Sequence, residues 1–232
     1  MPNQARARRQ APAAQPVMDP AAQGGNRFGS NADQIEKMRR TTTDPQVVRE
    51  DHVETQEGMS TVLTNEQAKD VKLFRDRFEK HQARYERVAA ATGVPAPLIA
   101  AIHWRESHGD FGTYLHQGDP LGKAAVNHPT DIPIFTEWEP AAIHAIKMKS
   151  GLARSLQMEK ATTDLASMAT YAEFYNGLGY RRKGDESPYV YSGTDKYTGG
   201  KYVADGQYSS TTKDRQVGVI PLIESVDPEK QG

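Results

Sequence analysis

Seven consecutive residues, Leu98 to Trp104 (LIAAIHW), are apolar at every position except His103, and this run constrains the fold more than any other feature of the chain. Pro97 precedes it, well placed in a first helical turn where its missing N–H costs nothing. A helix that is apolar on nearly every side belongs inside a core rather than on a surface. The rest of the chain must therefore supply elements to surround it. Immediately beyond, the texture reverses: RESHGDFGTYLHQGDPLG is polar, aromatic and glycine-rich. Glu106 stands at the junction, with Asp110 and Asp119 in the loop that follows.

The surrounding elements are legible as helices. Thr64-Asn65-Glu66 offers capping side chains, and Val71, Phe74, Phe78, Tyr85, Val88 and Ala89 follow at helical spacing up to Thr92-Gly93. A further helix is expected over Glu139 to Lys149, after a core Trp138. Another is expected over Thr163 to Tyr175, with Leu165, Met168, Ala169, Ala172 and Phe174 as its buried stripe and Asn176-Gly177 as its stop. SPYVYSGTDKYTGGKYVADGQY reads as a small hairpin or irregular lobe, because it is rich in Tyr, Val and Thr and carries Gly199-Gly200 and Asp205-Gly206. The last residues hold one short apolar segment and a polar tail. The expected fold class is mainly α with a small β-hairpin lobe.

Residues 1–63 differ in composition. Phe28 is the single aromatic between Met1 and Leu73, and Ala, Gln, Pro, Arg, Gly and Asn dominate the first thirty positions. Such a segment buries too little apolar area to offset its chain entropy. It is expected to be a long extended or disordered N-terminal arm, flexible or bound to a partner, ahead of a domain at 64–232. Seven Arg/Lys against three Asp/Glu in its first forty residues give a mild basic bias suited to an acidic partner surface.

Over all 232 residues the net charge is −1, so bulk charge calls for neither nucleic acid nor a membrane surface. The absence of cysteine excludes disulfides and thiolate metal sites. No run approaches the length of a membrane span, and the N-terminus lacks the apolar segment of a secretory signal.

The chemistry points to Glu106. A carboxyl at the end of a core helix lies against apolar walls, which disfavour its ionised form and raise its pKa. An acid held protonated near neutrality is what glycosidic cleavage needs, because the leaving oxygen must receive a proton. A second carboxylate in the loop would stabilise charge at the sugar or position a water; Asp119 is the first candidate and Asp110 the second. The plain alternative for Glu106 is an ion pair with Arg105 or a nearby lysine. Tyr114 and His116, among the loop glycines, suggest a groove lining.

Glu106-Ser107 closing an apolar helix, with Tyr175-Asn176-Gly177-Leu178-Gly179-Tyr180 closing a later one, resembles the lysozyme-like fold of lytic transglycosylases and goose-type lysozymes. HWRESHGDFGTYLHQGDPLG together with SPYVYSGTDKYTGGKYVADGQY resembles, more closely, lysozyme-like peptidoglycan hydrolases of phages and prophages. The similarity runs from about Tyr85 to Ile223 and leaves out the arm. It implies that Glu106 is the catalytic acid and that the Tyr175–Tyr180 segment lines the groove opposite it. The implied function is a glycosidase, either muramidase or lytic transglycosylase, cutting the β-1,4 bond between N-acetylmuramic acid and N-acetylglucosamine in peptidoglycan glycan strands. It would need no cofactor, and it would serve as an endolysin from the host cytoplasm or as a virion component at entry, reaching the wall in the periplasm. One departure stands out. Where transglycosylases carry a Gly-Leu-Met-Gln-like stretch, this chain has Gly118-Asp119-Pro120-Leu121-Gly122. A carboxylate at that place favours a hydrolase with Asp119 as its second acid.

Substrate contacts are expected from Ser107, Tyr114, His116, Tyr175, Asn176, Tyr180 and Tyr191, since aromatic faces pack on sugar C–H groups and Asn176 can bond an N-acetyl group or simply end its helix. Arg181, Arg182 and Lys183 form a basic run suited to acidic peptide stems. His103 and Glu106, three apart, could share a zinc with His116, His128 or His144, but a core histidine is the commoner reading of His103 and no metal is assigned. The other function class is a structural or adaptor protein of a phage virion or tail, with the arm contacting other virion proteins.

Overall fold

The computed structural model describes residues 30–160, 164–204 and 206–230. Expectations for residues 1–29, Thr163 and Asp205 lie outside them. The chain divides between Glu36 and Lys37. Of the first unit the described part is the start of helix α1 (Asn31–Thr41), where Asp33 accepts a hydrogen bond from the Ser30 backbone N–H.

The second unit is built from helices. Helix α2 spans Pro45–Gln56, α3 Asn65–Thr92, α4 Ala96–Ser107, α5 Trp138–Lys147 and α6 Ser150–Ser155. Helix α7 spans Leu165–Asn176, α8 Pro188–Tyr191 and α9 Val219–Ser225. Strands β1 (Lys201–Ala204) and β2 (Gln207–Ser209) form one antiparallel pair with Lys201 opposite Ser209 and Tyr202 opposite Tyr208. The mainly helical class with one small hairpin is as expected from the sequence.

Local chemistry accounts for the boundaries. Thr64 and Gln67 form a reciprocal capping box at the start of α3, each side chain bonding the other's backbone N–H. Gly93 ends α3 in the left-handed region at φ 75°, where a side chain would be strained. Val71, Phe74, Phe78, Tyr85 and Val88 form the buried stripe of α3. In α4 every residue from Leu98 to Trp104 is buried, and α3, α7 and α9 pack around it. That places the apolar run at the centre of the core.

Three segments differ from expectation. Helix α1 falls within the stretch read as extended arm. Residues 45–56, read as extended arm, form α2 and pack along α7. Val48 and His52 are buried there, and the His52 ring bonds the Tyr191 hydroxyl at 2.7 Å and Glu173 at 2.9 Å. Arg49 reaches Asp164, the cap of α7, at 2.7 Å. The third difference is SPYVY, read as part of a small hairpin or irregular lobe. It is helix α8, because Ser187 and Pro188 start a helical turn whose buried faces meet α7 and α9. The hairpin begins only at Lys201.

Candidate functional site

Glu106 lies in the last turn of α4, which ends when His108 and Gly109 both enter the left-handed region. Gly109 is required there: a Cβ would come 2.8 Å from the Arg77 side chain, whose guanidinium donates to the Gly109 carbonyl. The turn throws the chain into the loop 110–137 and leaves the Glu106 carboxyl half-buried. Two phenols approach it from other elements. Tyr189 in α8 donates its O–H to Glu106 Oε1 at 2.8 Å. Tyr175, in the last turn of α7, donates to the Leu115 carbonyl at 2.8 Å, tying α7 to the loop.

Burial pushes the Glu106 pKa up to about 7, against the opposing pull of the Tyr189 hydrogen bond and the Arg105 charge. Both phenols are held well above their ordinary pKa, first by burial and then by the Glu106 charge. The Arg105 guanidinium does not pair with Glu106. It bonds Asp214 at 2.9 Å, and Asp214 also accepts from Lys201 at 2.7 Å. Oε2 of Glu106 has no hydrogen-bond partner among the described residues and is not sealed from solvent. The carboxyl thus has one oxygen held and one free, with the protonated form populated near neutrality.

The two loop aspartates are differently engaged. Asp119 is 5% exposed and accepts hydrogen bonds from the backbone N–H groups of Val126 (2.7 Å) and Asn127 (2.9 Å) and from the Asn127 and Gln117 side chains. These bonds, the Asn127 N–H first, hold its carboxyl below the ordinary range. It is the anchor on which the strand of loop from Ala125 to Asn127 hangs. The loop bearing it does come close to Glu106, since a Cβ on Gly118 would meet the Glu106 carbonyl at 3.0 Å. Asp110 accepts from Gly112 N–H in a tight turn and is exposed.

The other expected contacts divide in the same way. Ser107 is half-buried beside Glu106 and its hydroxyl leans on the His103 carbonyl at 3.4 Å. Asn176 is the exposed last residue of α7. Tyr114 and Tyr191 are both 0% exposed and offer no ring face to a ligand. The Tyr114 hydroxyl stitches the loop by bonding Lys123 and Phe135, and Tyr191 bonds His52. His116 is nearly buried and faces His144 of α5 at 2.9 Å, with burial lowering its pKa to about 4. Tyr180 meets Tyr202 edge-to-face, and its hydroxyl accepts from the Tyr202 N–H, so the hairpin packs on the Tyr175–Tyr180 segment. Of the basic run, Arg181 is turned inward to Asp51 and Glu173, while Lys183 stands 4.5 Å over the Tyr208 ring.

His103 is fully buried with both ring nitrogens occupied. Nε2 bonds the Asp110 carbonyl and Nδ1 the Tyr85 hydroxyl, each at 3.0 Å. A ring so engaged has no lone pair left for a metal, and the described residues contain no cluster of three metal-ligating side chains. Tyr189 is the residue whose role the sequence conceals. It is one of several tyrosines in its stretch, and nothing local marks it as the partner of an acid 83 positions earlier. No family model, curated protein or solved structure matches this chain.

Proposed function

We propose that the protein cleaves the β-1,4 bond between N-acetylmuramic acid and N-acetylglucosamine in peptidoglycan, with Glu106 as general acid. The observation that carries this reading is the state of Glu106. It lies in the last turn of a core helix, has its pKa raised to about 7 and, among the described residues, has no cationic partner and one unengaged oxygen. Glycosidic cleavage uses such an acid to protonate the leaving oxygen as the C–O bond breaks. The resemblance of the Glu106-Ser107 and Tyr175–Tyr180 segments to lysozyme-like wall enzymes of phages and prophages supplies the substrate class, and with it a lysozyme-like fold and a place of action at the bacterial wall.

The second carboxylate bears on the product. The four bonds converging on Asp119 favour an anchoring role over water activation. Asp110 is fixed in its own turn. With Asp119 engaged and Asp110 holding its turn through Oδ1, attack by the substrate's own hydroxyl is the better-supported course, that hydroxyl giving its proton to Glu106 as its oxygen bonds the sugar carbon. This reverses the preference for a hydrolase drawn from the departure at Asp119, and it makes the enzyme a lytic transglycosylase. Incubation of purified peptidoglycan with the protein, followed by mass spectrometry, tests it. Anhydro muropeptides support it; reducing muropeptides that vanish in Asp119→Asn restore the hydrolase, and no release points to a structural or adaptor role in a virion. No described helix is long and apolar enough to cross a membrane.

A further inference from the structure

Arg105 is an unusual neighbour for a general acid. Its side chain is only 6% exposed, yet it points away from the carboxylate next to it in sequence. Its guanidinium carbon lies 4.9 Å from the centre of the Tyr189 ring, and it is held there by Asp214 and by the Val217 carbonyl at 3.3 Å. Its Nε is buried without a hydrogen-bond partner. A buried N–H is seldom left so, and a cation over an aromatic ring recovers part of that loss through the ring's negative face.

We propose that Arg105 is a positioning residue that acts through Tyr189, polarising the phenol as a donor so that Glu106 Oε1 is fixed as an acceptor and the transferable proton resides on Oε2. The inference rests on the reading of Glu106 as the acid. A phenol can donate or accept. A positive charge over its ring draws electron density from the hydroxyl, which strengthens donation and weakens acceptance. With Tyr189 donating to Oε1, a neutral Glu106 carries its proton on the other oxygen, the one with no partner among the described residues. In the reaction that proton passes from Oε2 to the leaving glycosidic oxygen as the C–O bond breaks. The carboxylate that remains keeps its Tyr189 hydrogen bond, now to an ionised acceptor and therefore stronger.

The groups facing this device are few. Arg105 and Glu106 come from α4, Tyr189 from α8 and Tyr175 from α7, while Asp214 and Lys201 hold Arg105 from behind. Asp214 is kept ionised by Arg105 first and Lys201 next, despite its burial. Arg105 also acts directly on Glu106 by charge, so the test must separate the direct effect from the one relayed by Tyr189.

A double-mutant cycle in the full-length protein does so. Arg105→Gln, Tyr189→Phe and the double variant are compared by turnover on purified peptidoglycan and by the NMR titration of the Glu106 carboxyl. Arg105→Gln is expected to lower kcat about tenfold in the native background and about twofold when Tyr189 is already Phe, with KM nearly unchanged. The Glu106 titration midpoint should rise in Arg105→Gln, because a charge that favours the anion is gone, and rise less in the Tyr189→Phe background. Equal effects in both backgrounds overturn the relay. Should Arg105→Gln not fold, Arg105→Gln paired with Asp214→Asn, which removes both buried charges together, takes its place in both backgrounds and is decided by the same comparison. If the native protein cleaves no peptidoglycan, the proposed function fails, while the NMR cycle still decides the coupling.

Discussion

The Tyr189 hydroxyl and the Glu106 carboxyl meet at 2.8 Å although 83 positions separate them, and this contact joins the short helix α8 to the end of the core helix α4. Burial of the pair sets the charge state of Glu106, with its pKa raised to about 7. A general acid works only while protonated. Turnover on peptidoglycan should therefore be highest on the acid side of neutrality and fall as pH rises through about 7. A kcat profile from pH 5 to 9 measures this, and a limb centred instead near the ordinary glutamate range would contradict it.

The same shift has a consequence for stability. The folded pKa of Glu106, about 7, lies above its unfolded value near 4.5, so between those limits the folded state holds more protons. Stability then falls as pH rises across that window. Glu106→Gln removes this dependence. Its melting temperature should match that of the native protein near pH 4.5 and exceed it by pH 8, by an amount equivalent to on the order of 1–3 kcal/mol. Calorimetry of both proteins at three pH values reads the difference directly.

What the sequence made legible was whatever depends on neighbours along the chain. The LIAAIHW run, the cap at Thr64 and the stop at Gly93 each carry their cause within a few residues, and each appears where it is expected. Helix α2 was missed for the opposite reason. It has two buried residues, Val48 and His52, and His52 is satisfied only by Tyr191 and Glu173, more than a hundred positions away. The site divides on the same line. Glu106 is announced by the apolar helix it ends, whereas the Asp119 carboxylate looks free in sequence until Val126 and Asn127 fold back onto it.

Asp119 is expected to act on the loop rather than on the reaction. Asp119→Ala removes the acceptor for the Val126 and Asn127 backbone N–H groups and should cost about 1–2 kcal/mol. Asp119→Asn keeps one acceptor oxygen and should cost less. In both, the products should stay the same even where the rate declines. Proteolysis between Gly122 and Phe135 should quicken. An unaltered melting temperature with a changed product would assign Asp119 to the chemistry instead.

Helix α2 should be indispensable to the fold. His52→Ala leaves Glu173 with only the longer Arg181 contact and strips Tyr191 of its closest partner. The cost is expected to be about 3 kcal/mol, the scale for removing one member of a buried polar pair. Deleting the chain through Val62 should cost more, because Val48 and the Arg49–Asp164 pair go as well. Denaturant unfolding of the two variants is the check. A truncated protein as stable as the native one would show that α2 contributes nothing to the core.

In the proposed function, Glu106 protonates the leaving oxygen of a peptidoglycan glycan strand. The most direct test of this step is release of soluble muropeptides from purified sacculi by the native protein and by Glu106→Gln, with the fold of each verified by melting temperature. Release by the native protein should be dominated by anhydro products, and the variant should lose at least about a hundredfold without loss of fold. Equal release by both proteins, or none by either, would contradict it.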